Sequence, residues 1–192
     1  DDFYNSSKFP STLKKIGIKE LKIPKDENYF INLRNNHGFI DFYNILLASI
    51  LVALGAITAR RNSEIIDLHP LDCLLPQNFD PLITEFKEFE VIFDNRKSGV
   101  GGINFHREKM SRPIPSIIAK IIYKLKNFNE IILENNFSTL SDINLINNYS
   151  YSRNTWKKLS PGNYSNLLNL FCDYFQTKKI EYSQNEYRRY YI

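Results

Sequence analysis

The sequence predicts a mainly α fold with a small antiparallel β-sheet, of the α+β class. A chain of 192 residues with 43% hydrophobic residues can bury a substantial core. Its 7 glycines and 8 prolines are few beside 14 phenylalanines and 12 tyrosines, which favours helical packing over a turn-rich β-sandwich. We expect residues 1–36 to form a lead-in arm and residues 37–192 to form one domain.

The longest apolar run predicts a buried helix from Phe39 to Ala59, which follows a turn at His37-Gly38. Gly55 within this helix is expected to allow a neighbouring element to approach closely. Polar residues interrupt the run, and it is short for a bilayer. No membrane span is therefore expected.

A short second helix is predicted from Ser63 to Leu68, with Asn62 or Ser63 as its N-cap. His69-Pro70 ends this helix, because the residue before a proline disfavours the helical conformation. We interpret His69 as a boundary residue rather than a ligand, and we expect a strand over Leu71 to Leu75.

A β-hairpin is predicted next. Phe89 to Asp94 is rich in strand-forming residues and precedes a glycine-rich turn over Ser98 to Gly102. The chain is expected to return through Ile103 to His106 and to end its strand at Arg112-Pro113-Ile114-Pro115. The turn lacks the spacing of a phosphate-binding P-loop, so no nucleotide cofactor is expected.

Two longer helices complete the predicted fold. Ser116 is expected to cap an amphipathic helix that carries lysines on its outer face. Leucine and phenylalanine residues at helical spacing predict a core helix from Tyr164 to Phe175. Between them, Asn135 to Asn154 is dense in Asn and Ser and predicts a loop-rich insertion.

The positive charge of the chain is concentrated in one segment. From Asn95 to Lys126 there are eight basic residues and one acidic residue, Glu108, a local charge of +7. The rest of the chain has 17 basic and 20 acidic residues and a net charge of −3. Such a segment is typical of a surface that contacts a phosphate backbone.

Cys73 and Cys172 have no neighbours at the spacing of a zinc site or a disulfide framework. No secretory signal opens the sequence, so we expect a cytoplasmic protein without a metal. The closing stretch Tyr187 to Ile192 carries no C-cap signal, and we expect the natural sequence to continue beyond it.

Arg60 and Arg61 directly follow the apolar helix and are expected to lie against the core. Two guanidiniums that face the same way repel each other unless an anion lies between them. Glu64 supplies one carboxylate, which leaves one guanidinium for a phosphate or carboxylate ligand. The alternative is that Glu64 and Asp67 satisfy both arginines in surface ion pairs.

The order of these motifs resembles the catalytic domain of the tyrosine recombinases, which include phage and genomic-island integrases. The resemblance covers about residues 40–125. It rests on three stretches: Ala59 to Leu68 with its Arg-x-x-Glu, Ile92 to Gly102 with its Arg-Lys-Ser-Gly, and Arg112 to Ala119 with its Arg-Pro-Ile-Pro.

The resemblance implies site-specific DNA integration and recombination without a cofactor, through a 3′-phosphotyrosyl intermediate. Arg61 would bind the phosphate and counter its growing charge, and Lys97 would be the general acid for the departing 5′-oxygen. Six further basic residues would contact DNA without taking part in the chemistry: Arg60, Arg96, Arg107, Lys109, Arg112 and Lys120. The expected partner is double-stranded DNA, with self-association on it, and neither a membrane nor a small-molecule substrate is expected.

The sequence departs from the family after this point. No His-x-x-Arg box follows, His106 lies in the hairpin and does not replace it, and no tyrosine has a recognisable nucleophile motif. We therefore expect this chain alone not to cut DNA. Two alternatives stay open, namely a DNA-binding protein with a recombinase-like scaffold and no catalysis, and a helical interaction module whose basic hairpin contacts an acidic protein.

Overall fold

The computed structural model describes residue 17 and residues 19–77, 79–84, 88–95, 108–150 and 155–175. Its helices are α1 (Tyr29–Arg34), α2 (Phe39–Thr58), α3 (Asn62–Ile66), α4 (Ser116–Glu134) and α5 (Pro161–Tyr174). Its strands are β1 (Leu74–Leu75), β2 (Phe89–Asn95), β3 (Glu108–Ile114), β4 (Asn147–Ser150) and β5 (Thr155–Lys158). The predicted α+β class is confirmed.

Helix α2 is the centre of the fold and has nearly the predicted bounds. It packs against α1, α3, α4, α5 and β3. Within the described residues it is the helix long and apolar enough to cross a membrane, with 20 residues and a mean hydropathy of 2.0. Its side chains Leu47, Leu51 and Leu54 are fully buried in the main core, as in the core helix of a soluble protein.

Three predictions about glycine and capping residues are wrong. Nothing lies within 4 Å of a Cβ built on Gly55, so this glycine is not a point of close approach. Helix α3 takes Arg61 as its N-cap instead of Asn62 or Ser63, and α4 takes Pro115 instead of Ser116. Local propensity favours a polar side chain at these caps, but the extended residue before each helix is fixed by the preceding turn or strand.

The arm that precedes α2 is packed onto it from Ile23 onward. Ile23, Tyr29 and Leu33 are buried in a small cluster with Ile45 of α2. The buried carboxylate of Asp41 accepts hydrogen bonds from the Ile23 backbone N–H at 3.2 Å and from the Tyr29 hydroxyl at 3.0 Å. One apolar cluster and one carboxylate therefore fasten residues 23–33 to the first turns of α2.

A three-stranded antiparallel sheet has the order β1-β2-β3. Strand β1 is shorter than the predicted strand Leu71 to Leu75, because His69 Nδ1 accepts the backbone N–H groups of Leu71 and Asp72 at 3.3 and 3.0 Å. Those donors are used in a turn and cannot join the sheet. The interpretation of His69 as a boundary residue is confirmed.

The second hairpin, β4-β5, was not predicted, because its region is rich in asparagine, which is depleted in strands. Its strands pair Tyr149 with Trp156, and the two rings lie 5.3 Å apart. Trp156 also makes edge contacts with Tyr43 of α2 at 5.4 Å and with Phe128 of α4 at 5.0 Å. This aromatic packing between distant segments offsets the weak strand propensity.

Three buried asparagines join α4 to the chain segments that flank the hairpin and α3. Asn129 Nδ2 lies within 3.2 Å of the carbonyl oxygens of Pro70, Asn144 and Leu145. Asn147 Nδ2 donates to Asn129 Oδ1 at 2.9 Å, and Asn144 Nδ2 donates to the carbonyl of Ile66, the last residue of α3, at 2.6 Å. The network thereby satisfies main-chain groups that no regular ladder pairs.

We predict that Asn129→Leu lowers the free energy of unfolding by about 2 to 4 kcal/mol, because it leaves several buried polar groups without partners. Asn127→Leu is the matched control on the same helix, since Asn127 is only partly buried. It should change stability by about 0.5 kcal/mol or less. Urea unfolding measures both, and equal midpoints for the two variants would contradict a stabilising role for the network.

Candidate nucleic-acid interface

Ala59, Arg60 and Arg61 connect α2 to α3, and we call this connection the arginine turn. Reciprocal hydrogen bonds across the start of α3 stabilise it. After α2, Ala59 adopts the left-handed conformation, with φ of 51°, and Arg61 is extended. Glu64 Oε2 accepts the Arg61 backbone N–H at 3.1 Å, and the Glu64 backbone N–H donates to the Arg61 carbonyl at 3.0 Å. The turn thus gains the pairing of a capping box, with a main-chain carbonyl in place of a polar side chain at the N-cap.

Arg60 is a packed residue. Its Nη1 lies 3.8 Å from Glu64 Oε2, and its Nη2 lies 3.6 Å from the sulfur of Met110. Its guanidinium carbon is 5.7 Å from the ring centroid of Phe93. The side chains of Arg60 and Glu64 are only 11% and 3% exposed, so this pair is not the surface ion pair of the alternative interpretation.

Arg61 differs from its neighbour. Its side chain is partly exposed, and among the described residues no hydrogen bond or ion pair of its guanidinium is found. Glu64 binds the main chain of Arg61 and the side chain of Arg60. The structure therefore separates the two arginines into one that packs and one whose donors face outward to solvent or a ligand.

The packed arginine joins this turn to the base of the β2-β3 hairpin. Phe93 and Met110 are direct partners in the sheet, and Asp94–Lys109 and Asn95–Glu108 are the next two pairs toward the hairpin tip. Arg96, Lys97 and Arg107, together with the predicted turn over Ser98 to Gly102 and the predicted return through Ile103 to His106, lie outside the described residues. The structure shows that the arginine turn contacts β2 and β3 at Phe93 and Met110.

The predicted DNA contacts on β3 divide between the two faces of the sheet. Arg112 is two residues from Met110 and so shares the face on which Arg60 packs, where it is exposed. Lys109 points to the opposite face, where it lines a small cavity of about 160 Å³ with three aspartates, Asp67, Asp72 and Asp94. These carboxylates oppose the approach of phosphate near Lys109. Lys120 is partly exposed on the second turn of α4.

Several groups that could act as nucleophiles are held in their protonated form. Burial raises the pKa of the Cys73 thiol to about 12, and this free cysteine is therefore unreactive at neutral pH. Burial also raises the pKa of Tyr43 and Tyr149, while burial together with Asp41 raises the pKa of Tyr29. None of these three tyrosines has an environment that would activate its hydroxyl.

In the part of the chain that the structure describes, no group of three or more His, Cys, Asp or Glu side chains is placed to hold a metal ion.

Strand β5 adds two basic residues, Lys157 and Lys158, that the sequence interpretation did not single out. The one sequence signal for them is their adjacency to the single tryptophan.

Compared with known proteins, the chain matches no family model, no curated protein and no solved structure.

We predict stability effects of different size for the two arginines. Arg60→Ala should lower the free energy of unfolding by about 2 to 4 kcal/mol, because it leaves the buried Glu64 carboxylate without its side-chain cation. Arg61→Ala should change it by about 0.5 kcal/mol or less, because the lost side chain has no described protein partner. Chemical denaturation of both variants tests this, and a larger loss for Arg61→Ala would reverse the assignment of the packed arginine.

Proposed function

We propose that this chain is the DNA-binding part of a site-specific tyrosine recombinase that serves integration of a mobile element in the cytoplasm. One observation supports the proposal most: Arg60 packs on Phe93 and Met110, which brings the Arg61 turn beside the base of the hairpin that carries Lys97. In the sequence, Lys97 follows β2 by two positions, and β2 is one of the strands that contact the arginine turn.

In this mechanism Arg61 binds the scissile phosphate through its planar pair of donors and stabilises the charge that grows as the phosphorus is attacked. Arg60 positions Arg61 through the carboxylate of Glu64, which fixes the Arg61 backbone. Lys97 donates a proton to the departing 5′-oxygen. A tyrosine hydroxyl is the attacking group. Its oxygen bonds to phosphorus and its proton passes to solvent, while the bond between phosphorus and the 5′-oxygen breaks and that oxygen takes the proton of Lys97.

The DNA surface in this proposal consists of Arg61, Arg112, the hairpin and the outer side of α4. Arg112 is exposed on the face of the sheet that Arg60 covers, and Lys120 follows on the helix that starts two residues after β3. Lys109 contributes less, because it lies among aspartates on the other face. The same strand thus supplies one contact residue and a matched control.

We predict that Arg112→Met weakens binding to duplex DNA and Lys109→Met changes it much less. If the chain neutralises about five phosphates, the logarithm of the binding constant falls with the logarithm of salt at a slope of about −4.5. Arg112→Met should reduce the steepness of this slope by about 0.9, the contribution of one phosphate contact. Fluorescence anisotropy over a salt series measures both variants, and equal slopes for them would contradict the proposed DNA face.

We predict that Arg61→Ala weakens duplex binding by about tenfold at low salt, as expected when one charge-assisted phosphate contact is lost. Unchanged binding by Arg61→Ala would remove its role as the phosphate ligand.

Wild-type residues 1–192 should form no covalent adduct with a nicked suicide duplex, because Arg61 and Lys97 bind phosphate but supply no nucleophile. Denaturing gels read the adduct directly. A DNA-linked band would show that one of the twelve tyrosines of this chain attacks DNA.

A further inference from the structure

A second cavity lies away from the arginine turn, between the first turns of α2, the β4-β5 hairpin and α5. Its volume is about 420 Å³, which is within the range of small-ligand pockets. Two lysines and four asparagines supply most of its polar lining: Lys157, Lys158, Asn44, Asn148, Asn163 and Asn166. We call it the amide-lysine pocket.

The electrostatics of the amide-lysine pocket favour an anion. None of the described residues that line it is an aspartate or glutamate, and its charged residues are Lys157 and Lys158. These consecutive residues of β5 lie on opposite faces of the hairpin, and both also line a neighbouring cavity that includes Asp142. Tyr149, which also lines it, has a pKa raised by burial and stays neutral at neutral pH. Neither lysine makes an ion pair in the described part of the chain. An anion entering here gains attraction from a lysine of β5 without displacing a carboxylate of the lining.

The rest of the lining fits a sugar. Asparagine amides both donate and accept hydrogen bonds, as neighbouring hydroxyls of a sugar require. Ile40 and Leu167 add an apolar wall from α2 and α5. The lining elements are also fixed in place, because Trp156 of the hairpin packs on Tyr43 of α2 and the Tyr43 hydroxyl donates to the Asn147 carbonyl at 3.3 Å.

We propose that the amide-lysine pocket binds a sugar phosphate, with a lysine of β5 on the phosphate and the asparagines on the sugar. The same chemistry is offered by a free sugar phosphate and by the backbone of a nucleic acid. The site is separate from the arginine turn, and the proposal does not depend on recombinase function.

The single tryptophan provides the readout. Trp156 lies 5.3 Å, ring to ring, from Tyr149 in the lining, so tryptophan fluorescence reports on the pocket without a signal from any other tryptophan. 2-Deoxyribose 5-phosphate is titrated into the full chain at constant ionic strength, with inorganic phosphate and 2-deoxyribose in parallel. The sugar phosphate should bind best, and the sugar without phosphate should not bind. Saturation by the unphosphorylated sugar with the same affinity would overturn the proposal.

Variants then assign the binding to the pocket. Lys157→Met with Lys158→Met should raise the dissociation constant by about tenfold or more, as expected for lost charge-assisted contacts. Lys19→Met with Lys25→Met removes the same charge from exposed positions of the arm and should leave it unchanged. Lys157→Arg with Lys158→Arg should retain binding, which separates loss of charge from loss of folding.

A second experiment, in which duplex DNA binding is measured by fluorescence anisotropy, identifies the source of the phosphate. It compares the pocket variant, Lys157→Met with Lys158→Met, with the arm variant, Lys19→Met with Lys25→Met. If the free sugar phosphate binds and the two variants bind DNA with equal affinity, the ligand of the pocket is a free sugar phosphate. If the pocket variant loses DNA affinity and the arm variant does not, the pocket contacts nucleic-acid backbone. If both variants had equal affinities in the sugar phosphate titration and also in the DNA titration, the proposed site would be overturned, whether or not Arg61 binds DNA.

Discussion

The carboxylate of Glu64 is the interaction on which the geometry of the arginine turn depends. It is nearly inaccessible to solvent, yet it binds the backbone of Arg61 and the guanidinium of Arg60. Through Arg60 it connects the exit of α2 with the sheet at Phe93 and Met110. A buried carboxylate with both partners in place is well solvated by the protein, whereas one that lost its cation would be costly.

The asparagine network gives α3 a second anchor at its other end. Asn144 binds the carbonyl of Ile66, and Asn129 binds that of Pro70, so the segment after the arginine turn is fixed from α4 and from the chain before β4. Polar contacts of this kind are directional, and they specify one arrangement where apolar packing alone would allow several. A short helix of five residues has little stability of its own and needs such anchors.

The two basic regions of the molecule differ in character. The arginine turn places one packed and one outward-facing guanidinium beside a hairpin, an arrangement suited to a phosphate that approaches along a surface. The amide-lysine pocket is a concave site lined by neutral hydrogen-bonding groups and by the lysines of β5. Sheet alternation creates a further difference, because it places Arg112 and Lys109 on opposite faces although only two residues separate them.

The sequence by itself determined the elements whose signals are local. The apolar run predicted α2, the β-branched and aromatic residues predicted β2, and His69-Pro70 predicted the end of α3, since each depends on periodicity or on backbone sterics. The sequence also identified the arginine pair, and the family resemblance gave Arg61 the phosphate-binding role, but nothing in the sequence indicated that Arg60 would be packed against the sheet. Only the tertiary structure decided that Arg60 packs and Arg61 faces outward, because the partners Phe93 and Met110 are more than thirty positions away in the chain. The β4-β5 hairpin and its pocket likewise exist because Trp156 meets Tyr43 and Phe128, contacts that no local propensity encodes.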